Sequence, residues 1–180
     1  MILKTDRLTL REFKPSDWRE VLKYQSDPRY LRYYEWSSRA EEEVRQFVQA
    51  FIDQQNERPR TMFQFAVTLE PEGRLIGNCG IRKRTSEAFE ADMGYEIDPD
   101  FWGNGYATEA ARAVLAFGFE QLALHRVWAN CIAENRASAH VLEKIGMQLE
   151  GRLRENVRMK GRWWDTLIYA ILDREWQETR

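Results

Sequence analysis

The stretch of this sequence best suited to chemistry is Ile97-Asp98-Pro99-Asp100-Phe101-Trp102-Gly103-Asn104-Gly105-Tyr106-Ala107-Thr108-Glu109-Ala110, a glycine turn between a strand pattern and a helix pattern. Gly103 and Gly105 permit a tight bend and a close approach of backbone to a ligand, and the helix after them presents unpaired N–H groups with a partial positive charge. Such a place suits a phosphate. No lysine follows either glycine, which excludes the loop that cradles nucleoside triphosphates. A dinucleotide fingerprint would need a third glycine where Thr108 stands, and it would follow the first strand of its unit rather than several strands. Two readings remain: a plain tight turn, or a cradle for another kind of phosphate ligand.

Around this turn the elements alternate in period. Thr5 to Phe13 reads as a half-buried strand closed by Pro15. Ser16 and Asp17 then cap a short helix through Trp18, Val21, Leu22 and Gln25 that ends at Asp27-Pro28. Ser38 with Glu41 forms a capping box for a longer helix, with Val44, Phe47, Val48, Phe51 and Ile52 on one face, running to about Arg58. Strands are predicted over Met62 to Leu69, Leu75 to Arg84, Glu90 to Ile97 and His125 to Ala133. A helix from about Tyr106 to Leu122 separates the last two, a crossover of the kind that joins parallel strands. A final helix spans Arg136 to Ile145 and stops at Gly146. A hairpin turning at Lys160-Gly161 closes the order β-α-α-β-β-β-α-β-α-β-β.

Composition narrows the class of protein. Hydrophobic residues make up 43% and charged residues 31% of 180, a globular balance that argues against a disordered or fibrous chain. No apolar run approaches the roughly 18 residues that span a bilayer, and Met1 to Arg11 already alternates like a strand, so no signal peptide and no membrane partner are expected. Cys79 and Cys131 each sit in an apolar strand-like stretch and read as buried thiols, which fits a reducing cytoplasm. A net charge of −2 gives no global field for nucleic acid, so DNA is not an expected partner. His125 and His140 lack metal-ligand spacing, and no metal is expected.

Gly94-Tyr95-Glu96-Ile97 followed by Phe101 to Ala110 resembles the acetyl-CoA pyrophosphate motif of the GNAT acetyltransferases, in particular their RimJ/RimL-like branch of ribosomal-protein N-terminal acetyltransferases. Further stretches agree: Thr5-Asp6-Arg7-Leu8 with Leu10-Arg11; Asn135, Ser138 and Leu142 to Met147; and Trp163-Trp164-Asp165 with Tyr169 and Glu175-Trp176. The resemblance implies an α/β (α+β) GNAT fold, with a central mixed, mostly antiparallel sheet, a splayed parallel strand pair and flanking helices. It covers a single N-acetyltransferase domain, residues 1–180. Two departures stand out. Asp100 occupies a place where many members carry Gln or Arg and is expected to point away from a pyrophosphate, and Leu142 stands where many carry a tyrosine that reprotonates the CoA thiolate.

The resemblance also implies a chemistry: an acceptor amine attacks the thioester of acetyl-CoA directly, with no acyl-enzyme. Ile97, Trp102, Gly103, Asn104, Gly105, Tyr106, Ala107 and Thr108 are the implied cofactor cradle. Asn135 would hold the pantetheine arm, or serve as a plain helix N-cap, or both. Ser138, one turn on, could donate to the leaving thiolate or be a small packing residue. Glu96 is the leading general base, with Asp92 as alternate, against the reading of a surface carboxylate. Tyr33, Tyr34 and Trp36 lie in a dense aromatic loop, Tyr30 to Trp36, which either borders the acceptor cleft, as the resemblance implies, or forms a packing cluster. Trp163 and Trp164 could cover the acceptor, pack in the core or meet a second subunit, since members of the branch often form homodimers. Arg45, Arg82 to Arg84 and Arg112 read as solvated charges, one of which could meet the cofactor's 3′-phosphate.

A peptide α-amine with pKa near 8 costs about 1.4 kcal/mol to neutralise at pH 7, and a lysine near 10.4 about 4.6. With no strong base in evidence, this favours a protein N-terminus as acceptor. The alternatives are a small-molecule amine such as a polyamine, an aminoglycoside or an amino acid, and a catalytically idle acyl-CoA-binding protein.

Overall fold

The computed structural model describes residues 1–178, so the last two residues of the expected 1–180 domain lie outside the described residues. Eight strands form one sheet in the order β1-β2-β3-β4-β5-β6-β8-β7. They are β1 (Ile2–Lys4), β2 (Leu8–Arg11), β3 (Met62–Leu69), β4 (Arg74–Lys83), β5 (Glu90–Ile97), β6 (Arg126–Ile132), β7 (Gln148–Met159) and β8 (Arg162–Leu172). Every adjacent pair is antiparallel except β5 and β6, which the crossover helix makes parallel. The helices are α1 (Trp18–Gln25), α2 (Pro28–Leu31), α3 (Glu41–Gln55), α4 (Tyr106–Glu120), α5 (Arg136–Lys144) and α6 (Asp173–Glu178). None is long and apolar enough to cross a membrane.

Both faces of the sheet are covered. On one, Val114, Leu115 and Phe117 of α4 pack on Leu8, Leu10, Phe65, Ile76, Ile81 and Val127. On the other, Val21 and Tyr24 of α1 and Val44 and Val48 of α3 pack on Ala66 and Leu75. The central strands β3 and β4 are therefore buried almost throughout, as strands covered on both faces are, with Gln64, Thr68 and Asn78 as their buried polar residues. Cys79 and Cys131 are buried free thiols.

Four expectations about the elements need correction. The strand expected over Thr5 to Phe13 is confined to β2 and forms a hairpin with a separate strand before it, β1, because Thr5 folds back on Leu8: its N–H donates to the Leu8 carbonyl at 2.9 Å and its hydroxyl accepts from the Leu8 N–H at 2.9 Å. The first helix does end ahead of Asp27-Pro28, but Pro28 then starts a further helix, α2, that was not expected. The Asp27 carboxylate accepts the Arg29 N–H at 2.8 Å, and proline is suited to a first helical turn. The longer helix begins two residues later than the Ser38 box predicts, since Glu43 accepts the Ala40 N–H at 2.9 Å. It ends at Gln55, ahead of Pro59. The chain also closes with the short α6, whose Trp176 stacks on Phe119 of α4 at 5.9 Å.

The feature that positions the site is the parting of β5 from β6. Their ladder contains only Glu90, Ala91 and Asp92 opposite Arg126, Val127 and Trp128. Beyond it β5 stays paired with β4 as far as Ile97 opposite Gly77, and β6 stays paired with β8 as far as Ile132 opposite Thr166. The Asp98 N–H donates to the Ile76 carbonyl at 2.7 Å, so the alternate residues Tyr95 and Ile97 turn their backbone groups toward the gap. Gly77 is what lets β4 lie so close behind, since a Cβ there would stand 2.1 Å from the Glu96 carbonyl oxygen. Gly77→Ala should therefore destabilise the fold by about 1–3 kcal/mol in urea titrations, and an unchanged midpoint would show that the strand pair can open at no cost.

Candidate active site

The cradle is built as the glycine pattern requires. A single 3-10 turn, Pro99–Phe101, is capped by the Asp98 carboxylate, which accepts the Asp100 N–H at 3.0 Å. Gly103 (φ 80°) and Gly105 (φ 82°) then take left-handed conformations that other residues reach only with strain. Gly105 caps α4, and the first intrahelical bond there is Glu109 N–H to the Gly105 carbonyl at 3.0 Å. The N–H groups of Gly105 to Thr108 are thus the free donors of the helix start.

A second element braces this turn from behind. Glu109 accepts from the Thr5 hydroxyl at 2.6 Å, the Arg7 backbone N–H at 3.0 Å and the Arg7 guanidinium at 2.7 Å. Arg7 also donates to the Asn104 carbonyl at 3.1 Å and lies 4.6 Å over the Tyr106 ring. Burial pushes the Glu109 carboxyl up, but the bonds from Thr5 and Arg7 outweigh it and hold the group below the usual carboxylate range. Asp100 points away, as expected, its carboxylate held by Arg29 at 2.7 Å.

One cavity of about 1230 Å³ runs from this cradle through the strand gap to the aromatic loop. Among the candidates named from sequence, Ile97, Trp102, Gly103, Gly105, Tyr106, Ala107, Thr108, Asn135, Ser138, Glu96, Tyr33 and Tyr34 all line it. Asn104 does not, because its amide turns back to the Phe101 and Trp102 carbonyls at 3.1 Å each. Trp36 and Trp164 also fall outside its lining. Trp36 stacks behind Tyr34 at 5.0 Å. Trp164 is 6% exposed, donates its indole N–H to the Met159 carbonyl at 3.0 Å and meets Tyr33 edge-on, so it supports the cavity wall from behind. The Trp102 indole donates to the Ile97 carbonyl at 2.7 Å, leaving the Ile97 N–H and the Tyr95 backbone for a ligand in the gap.

Glu96 is the hub at the far end. One carboxylate oxygen accepts from Tyr24 (3.1 Å), Gln25 (3.0 Å) and Asn78 (2.8 Å), the other from Tyr30 (2.8 Å) and Tyr34 (3.3 Å). Burial, and then the negative charge of Glu96, hold the Tyr24, Tyr30 and Tyr34 phenols well above their ordinary range, so all three remain neutral donors. No cation pairs with Glu96 among the described residues. The alternate, Asp92, is instead neutralised by Arg82 at 2.6 Å. Sequence reasoning missed Tyr24, Gln25 and Asn78 and placed Tyr30 only in the aromatic loop; the four reach Glu96 from three other elements.

On the helix side of the gap, the Asn135 carbonyl oxygen accepts the Ser138 N–H at 3.2 Å, which is the N-cap arrangement. The Ser138 hydroxyl shares a hydrogen bond with the Tyr95 phenol at 3.0 Å, and Tyr95 also reaches the Ser138 carbonyl at 3.0 Å. Tyr95 was the unmarked member of this pair. Its signal in the sequence is its place beside Glu96 on one strand, which sends the two side chains to opposite faces. Burial pushes the Cys131 thiol nearby up to about 11, so it stands as a neutral thiol. Leu142, 1% exposed, is an apolar packing residue with no proton to give.

Comparison with known proteins agrees with this geometry. The acetyltransferase (GNAT) domain family matches residues 7–148, and the chain belongs to that family. It is 36% identical over 176 residues to the uncharacterized N-acetyltransferase YnaD of Bacillus subtilis, covering 98% of this chain and 99% of the relative. A GNAT-family acetyltransferase of known structure from Bacillus anthracis superposes with a TM-score of 0.85 at 34% identity, covering 97% of this chain and 99% of that one. The [ribosomal protein uS5]-alanine N-acetyltransferase of Escherichia coli is 26% identical over 182 residues, covering 99% of this chain and 94% of the relative. The protein is an N-acetyltransferase with the mixed GNAT fold.

Two outcomes follow from the cradle. Gly105→Val has room for its Cβ, with only Arg7 at 3.6 Å, but not the backbone angle. It should abolish coenzyme A binding by calorimetry while the circular dichroism spectrum stays native, and retained affinity would move the phosphate site elsewhere. Because Glu109 is held below its unfolded value, its contribution is present above about pH 4.3 and is lost on acidification. Glu109→Gln should therefore lower stability by about 1–2 kcal/mol at pH 7, and the gap from the parent should close below about pH 4; a gap constant from neutral to acid pH would make the brace uncharged in effect.

Proposed function

We propose that this N-acetyltransferase uses acetyl-CoA to acetylate the α-amine of a protein or peptide N-terminus, in the manner of the ribosomal-protein branch, within a single domain over residues 1–180. The observation that carries the reading is the continuous cavity: a helix start with free N–H groups at one end, an unsatisfied strand edge in the middle and an uncompensated carboxylate at the other. Acetyl-CoA supplies the activated acyl group. The backbone of Gly103 to Thr108 would take its diphosphate, the Tyr95 and Ile97 edge with Asn135 its pantetheine arm, and Glu96 the proton of the acceptor ammonium. Tyr34, whose 3.3 Å contact with Glu96 is the longest of the five, is the donor an incoming amine displaces. Ser138, backed by Tyr95, would donate to the departing sulfur.

The acceptor class is supported by charge. Asp92 is paired with Arg82 and Glu134 with Arg162, so the cleft offers one free negative charge and is no trap for a polycation. The uS5-alanine relative named above acts on a protein alanine by its name, which fits an α-amine acceptor. A thiol-release assay with acetyl-CoA against paired peptides, N-terminally free or blocked, alongside spermidine and free amino acids, tests the assignment. Turnover is expected on free N-termini and lost on blocking. Equal rates on both peptides, or preference for spermidine, would overturn the acceptor class.

A further inference from the structure

Three basic side chains follow one another a turn apart along α5, at Arg136, His140 and Lys144, and all three are exposed yet line the cavity together with Ala107 and Thr108 of the cradle. Their state differs from that of several arginines elsewhere in the chain. Arg7, Arg11, Arg29, Arg60, Arg82 and Arg126 each hold a carboxylate in an ion pair. Among the described residues Arg136 and Lys144 hold none, and the nearest carboxylate to His140 is Glu143 at 3.8 Å. The end of this row is fixed beside the cradle helix, because Arg112 of α4 donates to the Lys144 carbonyl at 2.8 Å. Arg112 thereby spends its guanidinium on the scaffold, and Arg45 is paired with Glu41 at 2.7 Å, so two of the candidates for the 3′-phosphate are occupied elsewhere.

The cradle itself offers backbone N–H dipoles but no free cation, since Arg7 is bound to Glu109. A phosphate monoester carries about −1.5 to −2 charges at neutral pH and seeks side-chain cations. We propose that Arg136, His140 and Lys144 form the subsite for the 3′-phosphate of coenzyme A, the group that distinguishes it from dephospho-CoA. This assignment rests on the acetyl-CoA reading above, and it makes α5 a two-ended element: Asn135 and Ser138 serve the reacting end of the cosubstrate while the basic row selects its distal end.

The test is calorimetry of the parent protein and the Arg136→Ala/Lys144→Ala variant, each with coenzyme A and with dephospho-CoA at one salt concentration. The parent should bind coenzyme A about tenfold or more tightly than dephospho-CoA. The variant should bind dephospho-CoA as the parent does, with the preference gone and the melting temperature unchanged. Arg136→Lys/Lys144→Arg should keep the preference, and added salt should erode it in the parent. A preference that survives the double alanine change, or a proportional loss of both ligands, would overturn the subsite. So would a parent that binds both ligands equally, which leaves the cradle reading intact; a parent that binds neither would remove the acetyl-CoA reading as well.

Discussion

Two strands that begin as hydrogen-bonded neighbours and then separate are the constraint from which the rest of this molecule follows. A strand edge left inside a protein exposes N–H and C=O groups that cost roughly 1–3 kcal/mol each when nothing satisfies them. The fold accepts that cost at one place only because β4 and β8 hold the outer edges of β5 and β6 throughout. The helix that follows β6 starts in the opening, and Tyr95 of β5 reaches across to Ser138 of that helix. The gap is therefore held open by bonds rather than left open by poor packing. A ligand with amide groups spaced along a flexible arm is the natural complement of such an edge.

Charge is sorted along the same cavity. At the cradle the helix start is positive, Glu109 is held by Arg7 and Asp100 is drawn off by Arg29. At the acceptor end the arrangement is reversed: Glu96 is surrounded by five neutral donors and, among the described residues, pairs with no cation. A carboxylate dispersed among neutral donors is stabilised without being cancelled, so it still attracts an ammonium. The three phenols around it are held neutral by their burial and by Glu96 itself, which makes the cage self-consistent.

Much of this was legible in the sequence where the rules are local. Two glycines before an apolar helical period specify the turn, and the crossover length of α4 specifies a parallel pair. The pairing of donors with Glu96 was not legible, since Tyr24, Gln25 and Tyr30 lie 72, 71 and 66 positions away along the chain; the aromatic loop marks Tyr30, but nothing local marks Tyr24 or Gln25. The brace from Arg7 to Glu109, 102 positions apart, was visible only as a resemblance in the Thr5-Asp6-Arg7-Leu8 run, without its physical reason. Trp36 and Trp164 stand behind the cavity wall, in the packing role that was one of the readings open to them. Aromatic residues clustered in sequence look like a binding surface, but each large ring needs a backing, and half of such a cluster is spent on supporting the other half.

The uncompensated Glu96 also sets what kind of amine can react there. A carboxylate that attracts an ammonium also opposes its deprotonation, and at about 4 Å with an effective dielectric of 20 that opposition is roughly 4 kcal/mol. An amine must lose its proton before it can attack, so the more strongly the site holds the cation, the more the proton must pass to Glu96 itself. Five hydrogen bonds spread the carboxylate's charge and weaken both effects together. Such a softened anion serves an acceptor whose proton is already easy to lose, and an α-amine meets that condition better by about 3 kcal/mol than a lysine side chain. On the proposed reading, the same cage of neutral donors that fixes Glu96 in place is thus what favours an α-amine as acceptor.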